Sequence, residues 1–191
     1  MAKTANEYRL AFSGLEEGIH TFEYVLGGRF MDLAAEEAGG QADEALPFHN
    51  PDVKVRATLH KGERLMELHF DFEGQAFTSC DRCLREVAFE VDRHEDIFVK
   101  TASGKDAPMQ DDEDVWWITE AESELDLADY FREVLILARP MQCFCPDKAD
   151  GTSGCDPAML ALYAEEEKKT EGQGNDPRWD ALKALRDKID D

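Results

Sequence analysis

The chain has 191 residues, 42% hydrophobic and 34% charged, enough for one folded domain with appendages and a heavily charged surface. Against 21 Lys and Arg stand 43 Asp and Glu, a net charge of −22, which argues against a general binder of nucleic-acid phosphates and favours basic partners. No apolar run approaches the length of a membrane span and Met1 to Glu7 is no secretory leader, so a cytoplasmic protein with no membrane contact is expected.

Glu7 to Phe12 alternates as an opening strand would, followed by a turn at Ser13-Gly14. Phe22, Tyr24 and Leu26 alternate again before Gly27-Gly28, and Phe30 to Glu37 suits a short helix stopped by Gly39-Gly40. Gln41 to Pro51 reads as loop. Val53 to Leu59 and Leu65 to Phe70 alternate on either side of Lys61-Gly62, the pattern of a hairpin. Gln75 to Ser79 leads into a first cysteine pair, and Val87, Phe89 and Val91 alternate after it. Thr101 to Asp114 is polar and reads as loop, and Val115 to Ile118 is a short strand.

The period then changes to that of a helix. Leu127, Tyr130, Phe131, Val134 and Ala138 fall on one face, broadened by Leu135 and Leu137. Asp126 or Ser123 can cap its start, and Arg139-Pro140 ends it. Pro157 to Glu167 suits another helix, and Lys168 to Asn175 has the composition of a flexible linker. Asp176-Pro177 is a helix start signal, and Trp179, Leu182, Leu185 and Ile189 form a narrow apolar stripe behind it. The expected organisation is a domain over residues 1–167, a linker over 168–175 and a C-terminal helix over 176–191.

Five cysteines lie in two groups. Cys80 and Cys83 can hold one ion from a single tight turn, and Cys143, Cys145 and Cys155 offer three candidates for the two remaining places of a tetrahedral zinc site. The alternative is a set of buried thiols without metal. A redox role for the first pair is disfavoured, because strand-like residues follow it where a pKa-lowering helix N-terminus would be needed. Four protein ligands close a zinc ion to substrate, which makes such a site structural.

Other motifs favour no enzyme. The histidines lack metalloprotease spacing, and the glycine pairs lack the residues of a phosphate loop. Arg82, Arg85 and Arg93 flank the first pair and can meet phosphates, although pairing with Asp81, Glu86 and Glu90 is the simpler expectation. Residues 52–105 hold eleven acids against nine Lys and Arg, with His60, His69 and His94, so a phosphate contact is expected there sooner than in residues 111–133, with ten acids and one Arg. The acidic run Asp111 to Asp114 before Trp116-Trp117 suits a basic partner, or a solvated loop entering a strand with buried tryptophans; the second is preferred.

Three features combine: Cys80-Asp81-Arg82-Cys83-Leu84, the helix Asp126 to Pro140 followed by a cysteine cluster, and the closing Asp176-Pro177-Arg178-Trp179-Asp180-Ala181-Leu182. Together they resemble the YceD-like family of bacterial and plastid proteins, over most of the chain from about Val53. The resemblance implies a role in accumulation of the large-subunit (23S) ribosomal RNA, and no established catalytic activity. In the family the Cys-x-x-Cys pair is followed, after the helix and its proline, by a His and then a Cys. Cys145 stands where that His would be and Cys155 matches the later Cys. The implied zinc ligands are therefore Cys80, Cys83, Cys145 and Cys155, with Cys143 left over.

The expected fold is α+β: a twisted, mostly antiparallel sheet, one long packed helix, a Cys-rich zinc-binding junction and a C-terminal helix. The expected function is non-enzymatic support of large-subunit biogenesis with structural zinc. It would act through a basic ribosomal protein or the pre-ribosomal large subunit, with any rRNA contact indirect. The rivals are a zinc-dependent hydrolase of precursor rRNA, with carboxylates from Asp111 to Asp114, and an interaction adaptor unrelated to ribosomes.

Overall fold

Alternation in three long strands sets the architecture. The computed structural model describes residues 7–37, 46–102 and 115–171. Contacts divide the chain into two units, Met1–Ser79 with Glu86–Cys143, and Cys80–Arg85 with Phe144–Asp191.

In the first unit β1 (Arg9–Ala11), β2 (Gly18–Leu26) and α1 (Gly28–Glu37) precede three long strands, β3 (His49–Lys61), β4 (Leu65–Ser79) and β5 (Glu86–Ala102). β6 (Val115–Thr119), β7 (Glu124–Asp126) and α2 (Ala128–Ala138) follow. The main sheet runs β2-β3-β4-β5-β6, and β1 pairs with β7. The pairs from β2 to β5 are antiparallel, whereas β6 lies parallel to β5. The register of β4 and β5 is continuous from Leu65 opposite Lys100 to Ser79 opposite Glu86.

Residues two apart on a strand share a face. Val53, Val55, Ala57 and Leu59 are therefore buried together with Met66, Leu68, Phe70 and Phe72, and with Phe89, Val91, Ile97 and Val99. The other face carries Lys54 opposite Glu73, Arg56 opposite Asp71 and His69 opposite Asp96. It is a face of cross-strand charge pairs. β3 slips register between His49 and Asp52, and Asn50 takes a positive φ of 46° there, a conformation Asn tolerates better than most residues. Gly74 lies opposite Val53 at this irregularity, where an added Cβ would run into the carbonyl oxygen of Asp52.

α2 covers the buried face with Ala128, Phe131, Val134, Leu135 and Ala138. Phe131 is fully buried, with the rings of Tyr24, Phe72, Phe70 and Tyr8 at centroid distances of 5.3, 5.6, 5.8 and 6.3 Å. Such edge-on contacts add about 0.5–1.5 kcal/mol each beyond area burial. Tyr8 donates its hydroxyl to the carbonyl of Val25 at 3.2 Å.

Several expectations need correction. The packed helix is eleven residues, an ordinary length, because Glu124–Asp126 pairs with β1 before it and Pro140 follows it. Its N-cap is Leu127, with no side-chain cap of its own; the carboxylate of Asp126 accepts from the N–H of Ala128 at 3.2 Å. β7 is an addition, and β3 begins at His49, inside the stretch read as loop. The tryptophans divide by alternation: Trp116 packs against Tyr130 at 5.3 Å, whereas Trp117 is exposed.

The second unit contains α3 (Pro157–Glu171), the longest helix among the described residues. Asp156 accepts from the N–H of Ala158 at 2.8 Å and Pro157 opens the first turn, so the cap-and-proline signature applies here. α3 continues to Glu171, past Glu167 and into the segment read as linker. The rest of that linker and the helix expected over 176–191 lie outside the described residues, as does Asp111 to Asp114. No helix among the described residues is long and apolar enough to cross a membrane.

Candidate metal centre

Cys80-Asp81-Arg82-Cys83-Leu84-Arg85 is the connection between β4 and β5, and belongs to the second unit. It closes on itself through two backbone hydrogen bonds, Leu84 N–H to Cys80 C=O at 2.9 Å and Cys80 N–H to Arg85 C=O at 2.7 Å. The reversal requires a left-handed residue, and Leu84 supplies it with φ 59° while its side chain is exposed. A branched side chain in that region costs about 1–2 kcal/mol. The Arg82 N–H points at the Cys80 sulfur, 3.4 Å away.

The other half is a tight loop. Lys148 and Thr152 face each other through a 2.8 Å backbone hydrogen bond, with Gly151 at φ 78° in the turn and Asp150 accepting from the amide and hydroxyl of Thr152. Gly154 lies so close to the Pro146 carbonyl that an added Cβ would overlap that oxygen. This approach sets Cys145 beside Cys155. The Arg85 guanidinium joins the halves, donating to the Gly154 carbonyl and lying 3.9 Å from the Cys145 sulfur. Arg82 stacks over the Phe144 ring at 4.2 Å.

The four sulfurs of Cys80, Cys83, Cys145 and Cys155 all lie within 4.8 Å of one another. Cys80 and Cys155 are 3.7 Å apart, and Cys83 and Cys145 are 3.5 Å apart. Ligands about 2.3 Å from a tetrahedral zinc ion stand about 3.8 Å from each other. The donor set, spacing and burial therefore fit zinc. Cys143 falls in the first unit, where its thiol donates to the Pro140 carbonyl at 3.6 Å.

Backbone amides set the charge of the site. The Cys83 thiol is drawn down to about 5 by the N–H groups of Asp156 and Arg85. Burial pushes the Cys80 thiol up, but the N–H groups of Arg82, Cys83 and Cys145 outweigh it and leave the thiol below its ordinary range. Burial, together with donation to Cys83, raises Cys145 to about 12. Negative charge thus collects first on Cys83, Cys80 leans the same way, and Cys145 retains its proton.

Of the arginines singled out in the sequence, Arg93 donates to the Leu137 carbonyl at 3.3 Å, while Arg82 and Arg85 serve the cysteine loop. Sequence reasoning misses Leu84 and Gly154, and reads Arg85 as a partner of phosphates or acids, not of the cysteine loop. A positive-φ requirement after a Cys-x-x-Cys pair is the signal that points to Leu84, whereas nothing in the sequence announces the contact between Gly154 and Pro146.

No curated protein and no solved structure matches the chain. Residues 68–186, more than half of it, match the profile of the family described as large ribosomal RNA subunit accumulation protein YceD. The matched stretch runs from β4 through the Cys80–Cys83 turn, α2 and the loop bearing Cys145 and Cys155. The match takes in strand, cysteine turn, packed helix and cysteine loop together, and this chain belongs to the YceD family of large ribosomal RNA subunit accumulation proteins.

Proposed function

We propose that the chain is a cytoplasmic, non-enzymatic factor that supports accumulation of 23S rRNA in the large ribosomal subunit, and that it holds one structural zinc ion with Cys80, Cys83, Cys145 and Cys155. The observation that carries this reading is the closure of the sulfur set in a member of this family. A zinc ion with four thiolate ligands has no open position for water or substrate, which supports a structural role. Bound there, zinc would supply a cross-link and the positive charge that lets all four thiols ionise. Cys83 already favours the thiolate, the Cys80 thiol is shifted toward it, and the ion would take the place of the Cys145 proton.

The partner class follows from charge. A chain at −22 is repelled by rRNA phosphates, and Lys54 and Arg56 of the sheet's outer face stand opposite Glu73 and Asp71. Its target is a basic ribosomal protein, shielded by the acidic surface before it meets rRNA. The test is equilibrium binding to ribosomal proteins and to naked 23S rRNA across a salt series. Salt-weakened binding to one or a few basic ribosomal proteins is expected. Tight, salt-insensitive binding to naked rRNA with none to ribosomal proteins contradicts the reading.

A further inference from the structure

A second group of metal-ligating side chains lies on the outer face of the main sheet, within the first unit. His60 on β3 is the direct cross-strand neighbour of Glu67 on β4, and His69 is two residues further along β4 on the same face. The two imidazoles sit edge to face with centroids 5.1 Å apart. One donor atom from each of His60, Glu67 and His69 can be chosen so that all three lie within 4.8 Å of one another.

Asp96 supplies the independent observation. It is the cross-strand partner of His69 on β5, and its carboxylate oxygen is 2.6 Å from His69 Nδ1. An ionised carboxylate can only accept, so Nδ1 carries a proton, and in the neutral ring Nε2 presents its lone pair. A carboxylate on the remote nitrogen is the arrangement that orients imidazoles bound to metals and raises their basicity. Lys61, next to His60 in sequence, directs its ammonium to the carbonyls of Phe12 and Leu15, at 2.9 and 2.7 Å, and so is held by other partners.

We propose that His60, Glu67 and His69 form a second cation site, for a borderline divalent transition metal such as Zn²⁺, Co²⁺ or Ni²⁺, with Asp96 positioning His69. Two imidazoles and a carboxylate suit these ions and select against Mg²⁺ and Ca²⁺. Ligands about 2.0–2.2 Å from one tetrahedral ion stand about 3.3–3.6 Å apart, within reach of small side-chain rotations on a rigid pair of strands. Unlike the four cysteines, the three ligands leave coordination positions open on an accessible face. Water would fill them, or a donor from a bound protein.

The test is zinc titration into the full chain with its thiols reduced, followed through the imidazole resonances. Uptake beyond the first equivalent is expected to shift His60 and His69 while His20, His49 and His94 stay in place. His60→Ala is expected to weaken that later event at least tenfold, and Asp96→Asn about tenfold, whereas Cys143→Ser leaves it unchanged. The proposal is overturned if His60 and His69 do not move at submillimolar zinc, if all five histidines move alike, or if His60→Ala binds as tightly as the parent. The wild-type resonances decide the matter even if a variant folds poorly.

Discussion

The sulfurs of Cys80 and Cys155 stand 3.7 Å apart although 75 positions separate them in the chain. The turn that presents Cys80 and Cys83 depends on Leu84 in a left-handed conformation with its side chain exposed. Leu84→Gly removes the steric penalty and sacrifices little packing. It is expected to tighten zinc binding by about 0.5–1 kcal/mol, a factor of about two to five, because binding at such a site is coupled to local folding. Competition with a chelating dye measures it; weaker binding would show that Leu84 makes a contact the turn needs.

Two glycines are fixed by close approach. Gly74→Ala forces a Cβ into the Asp52 carbonyl oxygen, and Gly154→Ala forces one into that of Pro146. The first is expected to lower the stability of the sheet by about 2–3 kcal/mol, read by urea denaturation. The second is expected to spare the sheet and weaken zinc binding, which separates the two units experimentally.

The buried face of the sheet centres on Phe131. Phe131→Ala leaves a cavity among Tyr8, Tyr24, Phe70 and Phe72, and is expected to cost about 3–5 kcal/mol in chemical denaturation. A loss below about 1 kcal/mol would mean that α2 does not depend on this contact.

Tyr24 offers a change in the opposite direction. Its hydroxyl is buried and has no hydrogen-bond partner among the described residues, and burial raises its pKa to about 12. Tyr8 also rises to about 12, by burial and then by the nearby Glu7 carboxylate. Both phenols ionise near 10 when unfolded, so their burial contributes stability that is complete below pH 10 and is lost as the pH climbs to about 12. Tyr24→Phe removes one of these titrations and one unsatisfied hydroxyl. It is expected to gain about 1 kcal/mol at neutral pH and to flatten the alkaline unfolding profile, as followed by circular dichroism.

What the sequence made legible is what period and spacing carry. The alternation of Val53 to Leu59 and Leu65 to Phe70 placed both strands and their buried face, and the three-four spacing of Leu127, Phe131, Val134 and Ala138 placed α2. The parallel direction of β6 was not legible, because Val115 to Ile118 reads alike in either direction. Glu124–Asp126 is too short to show a period. The choice of Cys145 and Cys155 over Cys143 came from family resemblance; spacing alone left all three open, and the sulfurs that cluster are those of Cys80, Cys83, Cys145 and Cys155. The juxtaposition of His60, Glu67 and His69 was hidden because it arises across a hairpin, where register and not sequence distance decides which side chains meet. Asp156-Pro157 carried the same signal as Asp176-Pro177 and opens a helix whose apolar residues gather on no single face.

The account rests on four cysteines acting together and a fifth standing apart. Metal analysis of the full chain, purified without added zinc and compared with Cys83→Ser, Cys155→Ser and Cys143→Ser, tests it most directly. The expected result is one zinc per chain in the parent and in Cys143→Ser, with zinc lost or sharply reduced in the other two. A parent chain without metal under reducing conditions, or a Cys143→Ser variant that loses zinc while Cys155→Ser keeps it, would contradict the assignment.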